Sequence, residues 1–423
     1  MKAALLLAWY ATRVRVAMAL LCLGVVGCRS ARPMADPMPA AVPAPSVVVD
    51  LHLHVSMSRS AKPVFKGESG SGILTWDPTA ILVNQVEESQ LHAAGLRIAL
   101  GSCWPPFSLR AGRNAFDEAI AQLFELREFG RRRPGFAVVY SVAQVRQALT
   151  SGRIAVLPAV EGGEGIASVE DVDRLWLAGM RAITLMHFVN SSIGGAAKGQ
   201  NARNLLGIKT EKLETLGLTE LGKKAVERMM DLGILLDLAH ASDALSRDVL
   251  DLAEARGIPV VNSHSAARSY LASERSIPDD LAVRIVKGGG LVGVVLNDKM
   301  VTAVPAAARW PGFVEGTCDE VVAHWLHLAG LVGAENLVLG SDFNGFITRH
   351  PKGGSCPNGL RNVSDLPALW AALEARGIPR EALNGMDEKF LSLMEKVEKG
   401  AAPKAQAEAR QVRIPEASLF AAP

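Results

Sequence analysis

The 423-residue chain is 49% hydrophobic and 21% charged, with a formal net charge of +2. That is ordinary for a globular protein, enough for one large domain or two small ones. Near-neutral charge gives no electrostatic basis for a nucleic-acid partner, and an aromatic content of 5% argues against a stacking platform for sugars.

The first stretch reads as an address. Arg13 and Arg15 precede an apolar run, Val16–Val26, too short for a transmembrane span. It ends Val25-Val26-Gly27-Cys28, which looks like a bacterial lipobox, so residues 1–28 are expected to be a lipoprotein signal with Cys28 as the lipidated residue. The alternative is a plain secretory signal with an incidental cysteine. Residues 29–46, rich in Pro and Ala, read as an extended tether. Either way the mature domain, 47–400, is expected outside the cytoplasm, on the periplasmic side or surface of a bacterial membrane. Cys103, Cys318 and Cys356 remain, an odd set for an oxidising compartment, and a Cys318–Cys356 bridge is one pairing open to them.

Val47–His54 opens the domain as a strand whose period places His52 and His54 on one side. Val55–Trp76, rich in Ser, Gly and Lys, reads as a loop over whatever lies there. Leu96–Leu100 is a second strand and Asn114–Arg131 a helix. Ile154–Val160 forms the third strand, running into Glu161, and Ala182–Met186 the fourth, ending at His187. Leu218–Leu232 is an amphipathic helix capped by Thr219.

The next stretch organises the rest. Ile234–Leu238 and Ile258–Val261 are apolar runs that lead into polar tips carrying His240 and His264. Between them lies a helical pattern, N-capped by Ser242 or Asp243 and stopped by Gly257. Such a strand–helix–strand unit gives neighbouring parallel strands. Leu291–Leu296 follows as a strand, then a helix over Asp319–Leu331, then the strand Asn336–Leu339 before Gly340-Ser341-Asp342. Eight strand–helix units predict a closed (β/α)8 TIM-like barrel. Helices over Leu366–Arg376 and Arg380–Glu398 close the domain, and 401–423 reads as a loose tail.

His52 and His54, Glu161, His187, His240, His264 and Asp342 all fall where strands end. In parallel α/β folds that end carries the site. One such histidine alone is more often structural, but six strands presenting His, Glu or Asp at one end suit a hydrolytic metal centre. Histidines hold divalent cations, one carboxylate can bridge two of them, and a second can move protons.

These residues fall within longer motifs: VEGG at Val160–Gly163, GMRAITLMH at Gly179–His187, and GLTELGKKAVERMMDLGILLDLAHAS at Gly217–Ser242. NSHSAARSYLASERSIPDD at Asn262–Asp280 and GSDFNG at Gly340–Gly345 complete the set. In this order and spacing the chain resembles the membrane (renal) dipeptidase family of zinc peptidases, barrels of the metal-dependent hydrolase type, from about Val49 to Val397. The resemblance implies two Zn2+ per chain, Glu161 bridging both, His240 and His264 on one and His52 on the other. It makes His187 the residue that polarises the substrate carbonyl, Arg275 the holder of the peptide carboxylate, and Asp342 the general acid–base. It implies a dipeptide substrate, with D-residues often tolerated at the C-terminus, and family members are commonly dimers.

Four departures stand out. His54 takes the place of a usual Asp, so the second metal site loses an anionic ligand, although related barrels use His-x-His. Asn344 also stands where Asp is usual, Met300 falls near the place of a substrate-side Tyr, and MDEKFLSLM lacks the usual C-terminal signature. They leave open an amidohydrolase acting on a non-peptide amide, an N-acyl amino acid or a lactone, and also a surface protein that keeps the barrel without catalysis.

Overall fold

The computed structural model describes residues 46–55, 85–86, 88–105, 114–197, 216–345 and 353–414. The leader, Cys28, nearly all of the tether, the expected loop beyond Val55, and His350 lie outside the described residues. In chain order the elements are β1 (Val48–Leu53), α1 (Glu88–Ala93), β2 (Leu96–Cys103), α2 (Ala115–Arg132), β3 (Phe136–Val138), α3 (Val142–Thr150) and β4 (Ile154–Glu161). There follow α4 (Val169–Ala178), β5 (Ala182–Thr184), α5 (Glu220–Leu232), β6 (Leu235–Asp237), α6 (Asp243–Arg256), β7 (Asn262–Ser265) and α7 (Asp279–Lys287). Then come β8 (Val292–Val295), α8 (Cys318–Val332), β9 (Leu337–Gly340), α9 (Leu366–Ala375), α10 (Arg380–Asn384), α11 (Met386–Gly400) and α12 (Pro403–Ala409).

Eight strands run in the order β6-β5-β4-β2-β1-β9-β8-β7, with β3 paired to β4 outside that path. Every pairing between them is parallel. The circuit closes between β6 and β7, where Asp237 bridges Val261. There Leu238 N donates to Val261 O at 2.9 Å and Val261 N to Leu236 O at 3.0 Å. This is the expected (β/α)8 barrel. Its strands are buried on both faces, which is why they read as continuous apolar runs such as Ile154-Ala-Val-Leu.

Helix ends follow the sequence signals. Asn114, Thr219 and Ser242 each accept a first-turn backbone N–H through the side chain, and Gly257 ends α6 with φ +64°. Three boundaries differ from expectation. The sixth barrel strand is Asn262–Ser265, just beyond the apolar run Ile258–Val261, because the polar segment carries the ladder hydrogen bonds to β8. Gly385 splits the last long helix into α10 and α11. The tail is ordered through α12, whose Ala405 and Ala409 are buried while Arg228 of α5 donates to Ala405 O at 3.2 Å. Strand β3 and helices α1, α3, α4 and α7 have no counterpart in the sequence reading.

Cys318 and Cys356 form a disulfide, and Cys103 is buried outside it. A bridge of this kind suits an oxidising compartment. No helix among the described residues is long and apolar enough to cross a membrane.

Candidate metal centre

Two buried aspartates set the backbone that presents the histidines. Asp50 on β1 accepts from His52 N and Ser341 N, both at 3.0 Å, and from the Ser341 hydroxyl, tying β1 to the end of β9. Asp237 on β6 repeats the device across the barrel's closure. It accepts from Ala239 N at 3.0 Å, Ser263 N at 2.7 Å, the Ser263 hydroxyl and Thr184 Oγ1. Burial pushes the Asp50 carboxyl up to about 6 against these hydrogen bonds. With the strand ends clamped, His240 and Asp342 adopt φ of +64° and +56°. Such backbone strain in non-glycine residues concentrates at functional sites.

All the expected strand-end residues come together, each imidazole with Nε2 inward. His52 Nε2 lies 3.3 Å from Glu161 Oε1, and His54 Nε2 lies 3.5 Å from Glu161 Oε2. His187 and His240 each place Nε2 3.4 Å from Glu161 Oε1, while His264 stands at 3.9 Å. The pairs His52–His54 and His240–His264 bring their Nε2 atoms to 3.1 Å and 2.9 Å. Asp342 Oδ1 closes the cluster, 3.4 Å from His54 Nε2 and 3.8 Å from His52 Nε2.

The outer nitrogens are held from behind. His54 Nδ1 donates to Ser102 O at 3.1 Å, and His52 Nδ1 meets Ser102 Oγ at 3.2 Å. The Ser263 hydroxyl, which donates to Asp237, accepts from His264 Nδ1 at 2.7 Å. Partners of this kind fix the tautomer that leaves Nε2 free for a metal.

The donor set fits divalent cations. Ligand atoms 2.0–2.1 Å from a tetrahedral zinc stand roughly 3.3 Å apart, close to the spacings here. His52, His54 and Glu161 form one group able to hold an ion, and Glu161, His187 and His240 form another. A third set contains His52, Asp237 and His264, but the four hydrogen bonds accepted by Asp237 make it an anchor for the strand ends rather than a ligand.

Electrostatics agree with these parts. Burial raises Glu161, but its electrostatic interactions with His187 and His52 and its hydrogen bonding with His240 and His52 prevail, holding it well below the usual carboxylate range. Burial lowers His52, yet Glu161 more than offsets this and its pKa stands at about 9. Burial brings His187 down to about 4, leaving a neutral ring. The Asp342 carboxyl is raised, chiefly by burial. Glycines let the last loop close in: a Cβ on Gly340 would strike Ser263 O, and one on Gly345 would strike Asp342 Oδ1.

Arg275 reaches the cluster from the loop after β7. Its Nη1 donates to His264 O at 2.7 Å and to Ser265 Oγ at 3.0 Å, and its Nη2 to His240 Nε2 at 3.0 Å. Burial lowers its pKa to about 10, so it remains a cation at neutral pH. Arg268 braces the loop, donating to Ser276 O and Glu274 O at 2.9 Å each and to both Asp243 oxygens. Beneath it, His324 Nδ1 accepts Ala267 N at 3.0 Å. Burial depresses His324 to about 4, so below pH 6.5 the unfolded chain takes up a proton that the folded ring refuses. Stability is therefore expected to fall as pH drops from about 6.5 to about 4, by up to ~3 kcal/mol. The His324→Asn chain, with Oδ1 in place of Nδ1, loses the His324 share of that acid limb; urea unfolding across pH measures it, and an unchanged limb contradicts the assignment.

Three features escaped the sequence reading. Asp50 and Asp237 end buried apolar runs, where an unpaired carboxylate is costly, and that was the available signal. Trp104 and Phe188 wall His187, with ring centroids 5.5 and 3.7 Å away, and nothing in their local sequence marks them. Asn344 explains one departure: its Nδ2 donates to His54 O at 3.3 Å, and its amide exchanges hydrogen bonds with Gln85 at 3.0 and 2.7 Å. A carboxylate could not supply that donor. Met300 lies in a 3-10 turn, Asp298–Met300, packed against the core.

A parallel barrel with imidazoles and carboxylates converging at the carboxyl ends of its strands defines the metal-dependent hydrolase class. Residues 40–408 match the family model described as Membrane dipeptidase (Peptidase family M19), and the chain belongs to that family. It is 31% identical over 252 residues to Dipeptidase 3 of Homo sapiens, covering 59% of this chain and 46% of that one. The macaque (Macaca fascicularis) Dipeptidase 3 gives 30% over 238 residues, 56% of this chain and 43% of that one. The chain thus spans about half the length of the curated relatives it matches. A Rhodobacter sphaeroides metallopeptidase, solved with a phosphinate mimic of the dipeptide L-Ala-D-Ala, superposes with TM-score 0.64 at 22% identity, over 84% of this chain and 99% of that one. The probable dipeptidase PvdM of Pseudomonas aeruginosa gives TM-score 0.64 at 18% identity, over 84% and 96%. These two likenesses establish the fold.

Proposed function

We propose that this protein is a zinc-dependent dipeptidase that hydrolyses the amide bond of dipeptides with a free C-terminal carboxylate. The observation that carries the reading is the convergence of imidazole Nε2 atoms on both oxygens of Glu161, with Asp342 and Arg275 at the edges of the cluster. His52, His54 and Glu161 would hold one Zn2+, and Glu161, His240 and His264 a second. When bound, the cations polarise the scissile carbonyl and bring the pKa of water to roughly 7.

The chain's own residues do the rest. Arg275, its Nη1 committed to His264 O and Ser265 Oγ, turns its charge and Nη2 to the terminal carboxylate. His187, neutral, donates to the carbonyl oxygen as negative charge develops there. Asp342, its pKa raised by burial, takes a proton from the attacking water and passes it to the leaving amine. The dipeptide mimic on the Rhodobacter sphaeroides protein supports including dipeptides with a C-terminal D-residue.

Dipeptides offered as free acids and as C-terminal amides test the reading on the metal-loaded protein. The expected result is cleavage of the acids with KM at least ~10-fold lower, since a hydrogen bond between charged groups contributes about 1.5–3 kcal/mol. Equal KM for both contradicts it, and cleavage of N-acyl amino acids or lactones alone would favour a broader amidohydrolase. Lipid attachment at Cys28 is part of the same proposal. The Cys28→Ser chain then leaves the membrane fraction, and unchanged fractionation contradicts the anchor.

A further inference from the structure

Beside Arg275 lies a cavity of about 10 Å3 between β6, β7 and helices α6 and α7. Asn262, Arg275 and Ser276 line it, together with apolar groups such as Leu281 and charged ones such as Asp243 and Glu274. Each of the three polar side chains is at least nine-tenths buried: Asn262 6% exposed, Arg275 5% and Ser276 1%. Each also presents an atom with no protein hydrogen-bond partner, namely Asn262 Oδ1, Arg275 Nε and Ser276 Oγ. Three orphaned polar atoms on one cavity are costly, since each unmet buried group carries a penalty of its own. They also form a complementary set: Nε–H can only donate, Oδ1 can only accept, and the hydroxyl does either. A set of this kind suits one water, and about 10–15 Å3 is the room one water needs.

We propose that this cavity is a site for one structural water, which accepts from Arg275 Nε–H, donates to Asn262 Oδ1 and pairs with the Ser276 hydroxyl. Asn262 and Ser276 thereby become positioning residues for the guanidinium. The inference rests on the reading of Arg275 as the carboxylate holder. The Nη1 bonds to His264 O and Ser265 Oγ grip one edge of the guanidinium, and the water grips Nε, so the plane cannot rotate about its long stem. That leaves Nη2 to face the carboxylate, and a donor held in this way meets it with less ordering cost than a free one.

The test uses the metal-loaded full chain. A high-resolution crystal structure should show a solvent peak within hydrogen-bonding distance of all three atoms; a site without one overturns the proposal, and needs no variant. Ser276→Ala and Asn262→Leu should each raise KM for free-acid dipeptides about three- to tenfold, the worth of one hydrogen bond, with kcat held within about twofold. Turnover of the C-terminal amides and metal content should stay unchanged, and Asn262→Asp, which keeps the acceptor, should restore KM. If Arg275→Met raises KM and neither of the other variants does, the water has no positioning role. If Arg275→Met itself leaves KM for the free acid unchanged, the carboxylate reading fails instead.

Discussion

Replacing Glu161 by Gln is expected to cost the protein bound zinc, from two ions per chain to one or none, and at least ~10³-fold in kcat/KM for dipeptides. The geometry gives the reason. Glu161 Oε1 faces His52, His187 and His240 at 3.3–3.4 Å, and Oε2 faces His54 at 3.5 Å. Glutamine keeps the shape but removes the negative charge that offsets two cations, and it turns an N–H2 group toward imidazole lone pairs. Because the strand ends are clamped by Asp50 and Asp237 and not by Glu161, the fold should survive. Metal analysis of the dialysed protein beside a kinetic assay measures both effects. Two retained ions with unchanged turnover would remove Glu161 from the bridging role.

The second large effect separates proton transfer from metal binding. Asp342→Asn should lower kcat by about 10²–10⁴-fold, the usual worth of a positioned acid–base, while metal content stays at the wild-type level. Asp342 sits at the rim of the cluster, 3.4 Å from His54 Nε2 and 3.8 Å from His52 Nε2. Its raised pKa also sets a sign. A base must be unprotonated to act, so wild-type kcat should fall as pH drops through the pKa of Asp342, and the variant should lose that acidic limb. Loss of metal along with activity would recast Asp342 as a ligand.

Much of this site was legible in the chain because the chemistry-bearing residues sit at the ends of apolar runs. His240 follows Ile234–Leu238, and Glu161 follows Ile154–Val160; a parallel barrel brings such ends to one face whatever the sequence between them. The strand carrying His264 was located one segment early, since hydrophobicity marks Ile258–Val261 while the ladder to β8 begins at the polar Asn262. Strand β3 is three residues long and, among the described residues, pairs only with β4, too short for a period to emerge. What holds the histidines in place was not legible at all. Asp50 finds Ser341 across 291 residues, and no local pattern foretells that bond. Asn344 shows the same limit. As a departure in a motif it read as a lost carboxylate, whereas in the fold it supplies the donor to His54 O and locks Gln85.

The central claim is that the histidine–Glu161 cluster, loaded with metal, breaks a dipeptide. The most direct test is release of free D-alanine from L-Ala-D-Ala by the purified zinc-loaded protein, run beside the same protein stripped by a chelator and then reloaded. Cleavage that vanishes on stripping and returns with zinc is the predicted result. Cleavage indifferent to chelation, or none from protein shown to carry zinc, would contradict the claim.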